Sequence, residues 1–452
     1  MTRNPLLDIP HYLRVFQTYL GARMYLIFGL ALFAVLAEGV GILMLLPLLG
    51  ALDSSGAAPG GAAAFVQSML EAIGLGGSTT GLLLLITAAF IIKGALLFAA
   101  NGYRAYLTGQ LMRELRGRLF DRYAQMGYRH YVSQSTGHFT NVINQQIELM
   151  LTSFQQLTQL VGKSVDAITY AGFAFLVAWR FGVMAMVLGL AMLMLFRGLN
   201  VYVRGLSRQA ASEEGHLSKL LIQFLQGFKY LVATGQGAPL RKTVMASVRR
   251  LTGQEIRRQI ALAFTNSVRE PVIVVFIMLI VLVQMVFLGQ SLAPIMVAIV
   301  LFYRALNSVL MIQGAWQNTL NNIGSVELVH QEFADQAEQA EADGTVPVPP
   351  LAKNITLDQV SFAYDQTIGD VLSDVSLTIP ARHSVAFVGE SGAGKSTLVD
   401  ILTLMLKPRA GEVRIDGVPG DQVQLASWRA QIGYVSQETV VFDDSIANNI
   451  CM

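Results

Sequence analysis

Six apolar stretches, approximately 24–49, 81–107, 157–179, 182–203, 269–288 and 293–312, each come near the ~20 residues with which a helix crosses the core of a bilayer. A chain patterned this way is committed to a bundle of membrane helices. With 53 % hydrophobic and only 14 % charged residues, and a mean hydropathy of +0.50, it lies outside the balance of a water-soluble protein. The formal charge of +2 is too small to point to a nucleic-acid partner. The single cysteine, Cys451, allows no intrachain disulfide and no thiolate metal cluster.

An even number of spans leaves both termini on one side. The segments joining spans two to three and four to five carry Arg113, Arg116, Arg118, Arg122, Arg129, Arg208, Lys219, Lys229, Arg241, Lys242, Arg249, Arg250, Arg257 and Arg258, whereas the other three connections offer essentially Arg180. Positive charge marks the cytoplasmic face, so the N-terminus, both basic segments and everything after the sixth span belong on the cytoplasmic side of an inner (plasma) membrane. The polar, mixed N-terminal residues before a long apolar run read as a retained anchor, not a cleaved signal. Between spans one and two, Phe65, Met69, Leu70 and Ile73 recur at helical spacing. That is the pattern of a short amphipathic helix on the outer surface or, equally, of a flexible glycine- and alanine-rich loop.

The basic segments, roughly 108–156 and 204–266, are far longer than a helix-to-helix turn needs and keep helical periodicity. They are expected to prolong the spans into the cytosol and to double back through short crossing helices near Asn141–Glu148 and Gln226–Thr234. Such bends could meet a soluble domain and transmit its motion; solvated charged helices without that role are the alternative. After the last span, residues 335–350 turn acidic and then proline-rich, the composition of a tether. The expected division is therefore a six-span membrane domain over 1–330, a linker over 331–353, and a partial α/β domain over 354–452.

That last domain shows strand patterns at Ile355–Tyr364, Ser376–Ile379, Ser384–Val388, Glu412–Gly417 and Ile432–Gln437, with helical character over Thr397–Leu406. Between the third strand and the helix stands Gly389-Glu390-Ser391-Gly392-Ala393-Gly394-Lys395-Ser396-Thr397. Its glycines let successive backbone N–H groups face phosphate oxygens, and the helix adds the positive end of its dipole. Lys395 supplies charge and the Ser396 hydroxyl can bind Mg²⁺, which makes this an ATP or GTP site.

At these residues the chain resembles an ABC exporter, and the resemblance covers nearly its whole length. It implies a half-transporter that pairs with a second copy, with Tyr364 stacking on adenine, Gly389 to Thr397 holding the phosphates, and Gln437 serving Mg²⁺ or the attacking water. An aromatic face is a good platform for a purine, and a glutamine carbonyl is a hard oxygen ligand. The segments Glu38–Pro47, Leu301–Asn307 and Gly389–Asp400 are most similar to the lipid-linked oligosaccharide flippase group. Gln145 stands where the first coupling region of many such proteins has an aspartate. The family pattern continues beyond Gln437 with a Leu-Ser-Gly-Gly-Gln-like signature, a strand ending in Asp-Glu and a switch histidine. None of these occurs in the 452 residues, so the expectation is a fragment of a longer product, without normal turnover by itself.

Ionisable residues inside spans are costly, and so count as candidates for function. Glu38, Lys93 and Arg304 fall near mid-membrane by residue count, and Arg269 lies at the cytoplasmic start of span five. Lys93, Arg269 and Arg304 are expected to face a central cavity and attract an anionic group, with Glu38 pairing with one of them; helix-to-helix ion pairs or snorkelling side chains are the alternative. The expected function is ATP-driven, Mg²⁺-dependent export or flipping of an amphipathic substrate, with peptide, drug and lipid exporters sharing the architecture. A nucleotide-binding membrane module without catalysis is the reading from another class.

Overall fold

A computed structural model describes residues 9–52, 79–235, 237–287, 292–364, 369–436 and 440–451. The expected surface helix after span one and the expected Mg²⁺ ligand Gln437 lie outside the described residues. The chain divides into two compact units: Met1–Leu107 with Phe154–Thr319, and Thr108–Ser153 with Leu320–Met452.

Among the described residues, five helical stretches are long and apolar enough to cross a membrane: Arg23–Leu49, Thr79–Ala124, Thr136–Val177, Gly237–Val286 and Ile295–Trp316. The remaining expected span, 182–203, sits on the Trp179–Gln226 helix. Several of these helices far exceed a bilayer. The 46 residues of Thr79–Ala124 extend about 70 Å at ~1.5 Å per residue, against about 30 Å of hydrocarbon, as the periodicity of the basic segments requires.

Where the second basic segment is expected to bend, Gly227 ends the long helix, Phe228–Thr234 forms a short one, and Gly235 at φ +66° closes it. The first segment breaks earlier than expected. A short helix forms at Tyr128–Ser133, and the next, begun by the Ser135 side chain accepting from the His138 N–H, runs from Thr136 through a π-helical turn at Val142–Gln146 into Ile147–Val177. No glycine or proline interrupts residues 138–161, so nothing forces a bend at 141–148; Asn141 instead bridges to Gln145 (3.2 Å) and Gln146 (3.0 Å) across the wide turn.

The first unit packs Val35, Ile42, Leu46, Tyr170, Ala174, Val297, Leu301 and Ala305 into one apolar cluster. Large apolar side chains such as Phe98 and Ile91 point outward, as they must where the solvent is lipid. Gly39 lies against the ring of Phe173, where any side chain would collide with it; small residues of this kind let membrane helices approach closely.

The second unit contains an antiparallel sheet in the order β2-β1-β3-β4, formed by β1 (Asn354–Phe362), β2 (Leu372–Pro380), β3 (Ala410–Ile415) and β4 (Val418–Pro419). Leu357 pairs with Leu377 on one side and Val413 on the other. These residues close a core with Val360, Phe362, Ile401, Leu406, Ile415, Val423 and Trp428. The expected strands at Ser384–Val388 and Ile432–Gln437 do not form among the described residues. Phe387 and Ile432 pack partly against the core, but Val388 and Val435 are 93 % and 96 % exposed. A β-branched pattern supplies propensity; a strand also needs a neighbour to bond, and neither segment has one here. The expected helix over Thr397–Leu406 is shorter, Lys395–Leu402, because Leu404 turns into the left-handed region at φ +57°.

The acidic and proline-rich segment is docked, not free. Glu341 pairs with Arg429, Asp343 accepts from the Leu425 N–H (2.7 Å), and Val346 bonds back and forth with Gln422 and Gln424. The Asp416 carboxylate then accepts the N–H groups of Ala352, Lys353 and Asn354 at 2.7–2.9 Å, setting the chain into β1.

Candidate functional site

The phosphate loop follows β2 and ends at the N-terminus of the Lys395–Leu402 helix. Gly392 and Gly394 adopt φ +86° and +81°, a conformation that costs other residues about 1–2 kcal/mol. Gly394 is doubly constrained, since an added Cβ would meet the Leu372 side chain at 2.9 Å and the Val371 carbonyl at 3.1 Å. Leu398 is the first residue to close the helix, its N–H donating to the Gly394 carbonyl (2.9 Å). The N–H groups of Lys395, Ser396 and Thr397 therefore have no acceptor within the helix. Lys395 folds back over the loop, Nζ donating to the carbonyls of Gly389 (2.9 Å) and Glu390 (2.7 Å). Gly389, Glu390, Ser391, Gly392, Ala393 and Ser396 are exposed, while Thr397 is buried. An exposed loop with open donors and a cation held over it fits the phosphates of ATP.

Tyr364 stands beside this loop. It is 40 % exposed, edge-on to Phe362 with centroids 5.0 Å apart, and its hydroxyl lies 3.2 Å from Thr397 Oγ1. The short Tyr128–Ser133 helix reaches the same place, with Arg129 donating to the Tyr364 carbonyl (3.4 Å) and Tyr128 packing on the domain core. Neither Tyr128 nor Arg129 was marked for this position by sequence, because their neighbours come from a distant part of the chain.

A second polar site lies inside the apolar helices of the first unit. Glu38 is 1 % exposed. Its Oε1 is 2.7 Å from Lys93 Nζ and 3.2 Å from Arg304 Nη2, and its Oε2 accepts from the Tyr170 hydroxyl. Four helices thus meet on one carboxylate, which pairs with two cations where one was expected. The group lines a cavity of about 200 Å³ that also holds the Lys163–Asp166 pair (2.6 Å), Asn307 and Ser308. Lys163, Asp166 and Tyr170 lie in the third apolar stretch and were not singled out by sequence; Lys163 and Asp166 could have been, as charges inside a span. Arg269 lies on the Gly237–Leu282 helix, its side chain outside the described residues.

A third cluster binds the elements that lead to the nucleotide loop. Buried Glu332 accepts from Tyr123 (3.0 Å) and Gln336 (3.2 Å) and lies 3.1 Å from His138 Nε2, while Gln336 contacts His130 (3.0 Å). Burial, then the adjacent Glu332 charge and hydrogen bond, push the Tyr123 phenol well above its ordinary range.

A phosphate loop beside an antiparallel sheet, in one chain with several membrane-length helices, is the make-up of a membrane protein with a nucleotide-binding domain. Residues 372–449 match the ABC transporter family model, and the chain is a homologue of ABC exporters. It is 27 % identical over 376 residues to a protein of Psychrobacter cryohalolentis named ATP-dependent lipid A-core flippase, covering 81 % of this chain and 61 % of that one. Proteins of the same name from Chromobacterium violaceum (26 %) and Haemophilus influenzae (25 %) each cover 81 % of this chain and 63 % of their own length. The chain thus spans about three fifths of the length of these relatives. It is a multi-pass membrane protein with an ATP-binding domain.

Proposed function

We propose that this chain forms the membrane and nucleotide-binding part of an ABC half-transporter that works as a dimer, most simply of identical copies, and flips or exports an amphipathic substrate across the inner membrane. The division at 1–330, 331–353 and 354–452 and the cytoplasmic placement of the N-terminus and ATP-binding domain belong to this reading, supported by the arginines and lysines of the two basic segments. The observation that carries it is the joint presence of the phosphate loop and the polar cavity around Glu38, Lys93 and Arg304.

ATP, when bound, supplies the free energy of phosphoryl transfer. Gly389 to Thr397 hold its phosphates through backbone N–H groups and Lys395, Tyr364 offers a ring face to the base, and Ser396 with Gln437 supplies oxygens for Mg²⁺. In the cavity, Lys93 and Arg304 attract an anionic headgroup while its apolar tail stays in lipid. Arg269, at the cytoplasmic start of span five, is assigned to the same anion-attracting cavity. A lipid of the kind in the relatives' name, or a polyprenyl-diphosphate sugar, has this chemistry.

The test is reconstitution into vesicles of the protein as its host makes it, with a fluorescent lipid-diphosphate sugar. ATP-dependent flipping that falls at least tenfold in Lys93→Ala/Arg304→Ala is expected; unchanged flipping and unchanged lipid-stimulated ATPase would remove these cations from the transport path.

A further inference from the structure

We propose that Glu38 is an internal stand-in for the substrate's anion, and that it sets how much negative charge a headgroup must carry to enter the cavity. This rests on the proposed reading of the cavity as a substrate site. A carboxylate that is 1 % exposed, bound at once by Lys93, Arg304 and the Tyr170 hydroxyl, fills the place an incoming anion would take. Lys93 is also well covered, at 18 % exposure, but Arg304 keeps 45 % of its side chain exposed in the cavity wall. The guanidinium is therefore held on one side and open on the other.

Competition follows from charge. Being tethered, Glu38 acts at a high effective concentration, so a free carboxylate of equal charge gains little by replacing it. A phosphoryl group carries about −1.5 to −2 charges and can engage a guanidinium through two oxygens. It outbids Glu38 for Arg304 and Lys93, and Tyr170 keeps the released carboxylate hydrogen-bonded. The third cation in the wall, Lys163, is already matched by Asp166 at 2.6 Å, so selection falls to the Glu38 cluster. Phosphate- and diphosphate-bearing amphiphiles are admitted; carboxylates and zwitterions are turned away.

The test uses the whole chain in phosphatidylcholine nanodiscs, with farnesyl diphosphate and farnesoate as probes in a direct binding assay. In the wild type the diphosphate is expected to bind at least about tenfold more tightly than farnesoate. Glu38→Gln should tighten farnesoate about tenfold and narrow that ratio, and Glu38→Asp should restore it. If Glu38→Gln does not fold, Tyr170→Phe, which takes away the hydrogen bond that holds the released carboxylate and so strengthens its grip on the two cations, should widen the ratio by about threefold. An unchanged ratio, or an equal weakening of both probes as in Lys93→Ala, overturns the role of Glu38 alone. Failure of both probes to bind the wild type overturns the cavity reading with it.

Discussion

Glu341 and Arg429 form a two-pronged ion pair, Nη1 to Oε2 at 2.7 Å and Nη2 to Oε1 at 2.5 Å. The pair fastens the segment that follows the Leu292–Glu338 helix to the helix Leu425–Arg429, and the hydrogen bond from Arg429 to Glu341 raises the guanidinium's pKa. The partners are 22 % and 39 % exposed, so solvent weakens the attraction without abolishing it. Glu341→Ala should cost about 1 kcal/mol in chemical unfolding of the ATP-binding unit, and less in 1 M salt. A double-mutant cycle with Arg429→Ala measures the coupling; additivity would show that the fork contributes nothing.

Asp416 gives that unit an acid limit. Burial alone would raise its carboxyl pKa, but the N–H groups of Ala352, Lys353 and Asn354 and the charge of Lys353 bring it below the ordinary 3.8. The folded state thus holds this proton less tightly than the unfolded chain. Its stabilisation is complete above the ordinary value and is lost as pH falls through the lowered one. Asp416→Asn should cost about 1–2 kcal/mol at pH 7 and flatten the acid limb of the stability curve below pH 3.8. Parallel acid limbs in both proteins would contradict this.

Gly394→Ala should fail on two counts, its left-handed φ of +81° and the contact with Leu372 and Val371. Nucleotide affinity, read with a fluorescent ATP analogue, should fall at least tenfold, as it should for Lys395→Ala. The two differ in stability: Gly394→Ala should also lower it by about 1–2 kcal/mol, whereas Lys395→Ala, whose ammonium bonds only loop carbonyls, should not.

Glu332 is buried under three donors, so truncation leaves Tyr123, Gln336 and His138 without their shared acceptor. Glu332→Ala should destabilise its unit by about 2–3 kcal/mol, and Glu332→Gln by less, since an amide oxygen still accepts. Equal losses in thermal unfolding would show that charge, not acceptance, is what matters there.

The membrane helices and the phosphate loop were legible because each is a local pattern: an apolar run long enough to span, and glycines at positions requiring a left-handed backbone. Glu38, Lys93 and Arg304 were legible as a group, since charge in an apolar run is visible before any fold is known. What escaped depends on distant partners. Ser384–Val388 has strand propensity but no neighbour to bond among the described residues, and the proline-rich segment reads as a tether because its anchors, Arg429, Gln422 and Asp416, lie more than 60 residues away. Tyr170 was invisible for the same reason: 132 residues separate it from Glu38, and an aromatic inside an apolar span carries no mark of the hydrogen bond it donates.

In the proposed function, nucleotide gripped at Lys395 drives an anionic amphiphile through the cavity held by Lys93 and Arg304. This coupling is tested most directly by following the exposure of a fluorescent lipid-diphosphate sugar in sealed vesicles after Mg-ATP is added, in wild type, Lys395→Ala and Lys93→Ala/Arg304→Ala. Flipping in the wild type and loss of it in both variants is the predicted result; flipping that persists in either variant, or none in the wild type, contradicts it.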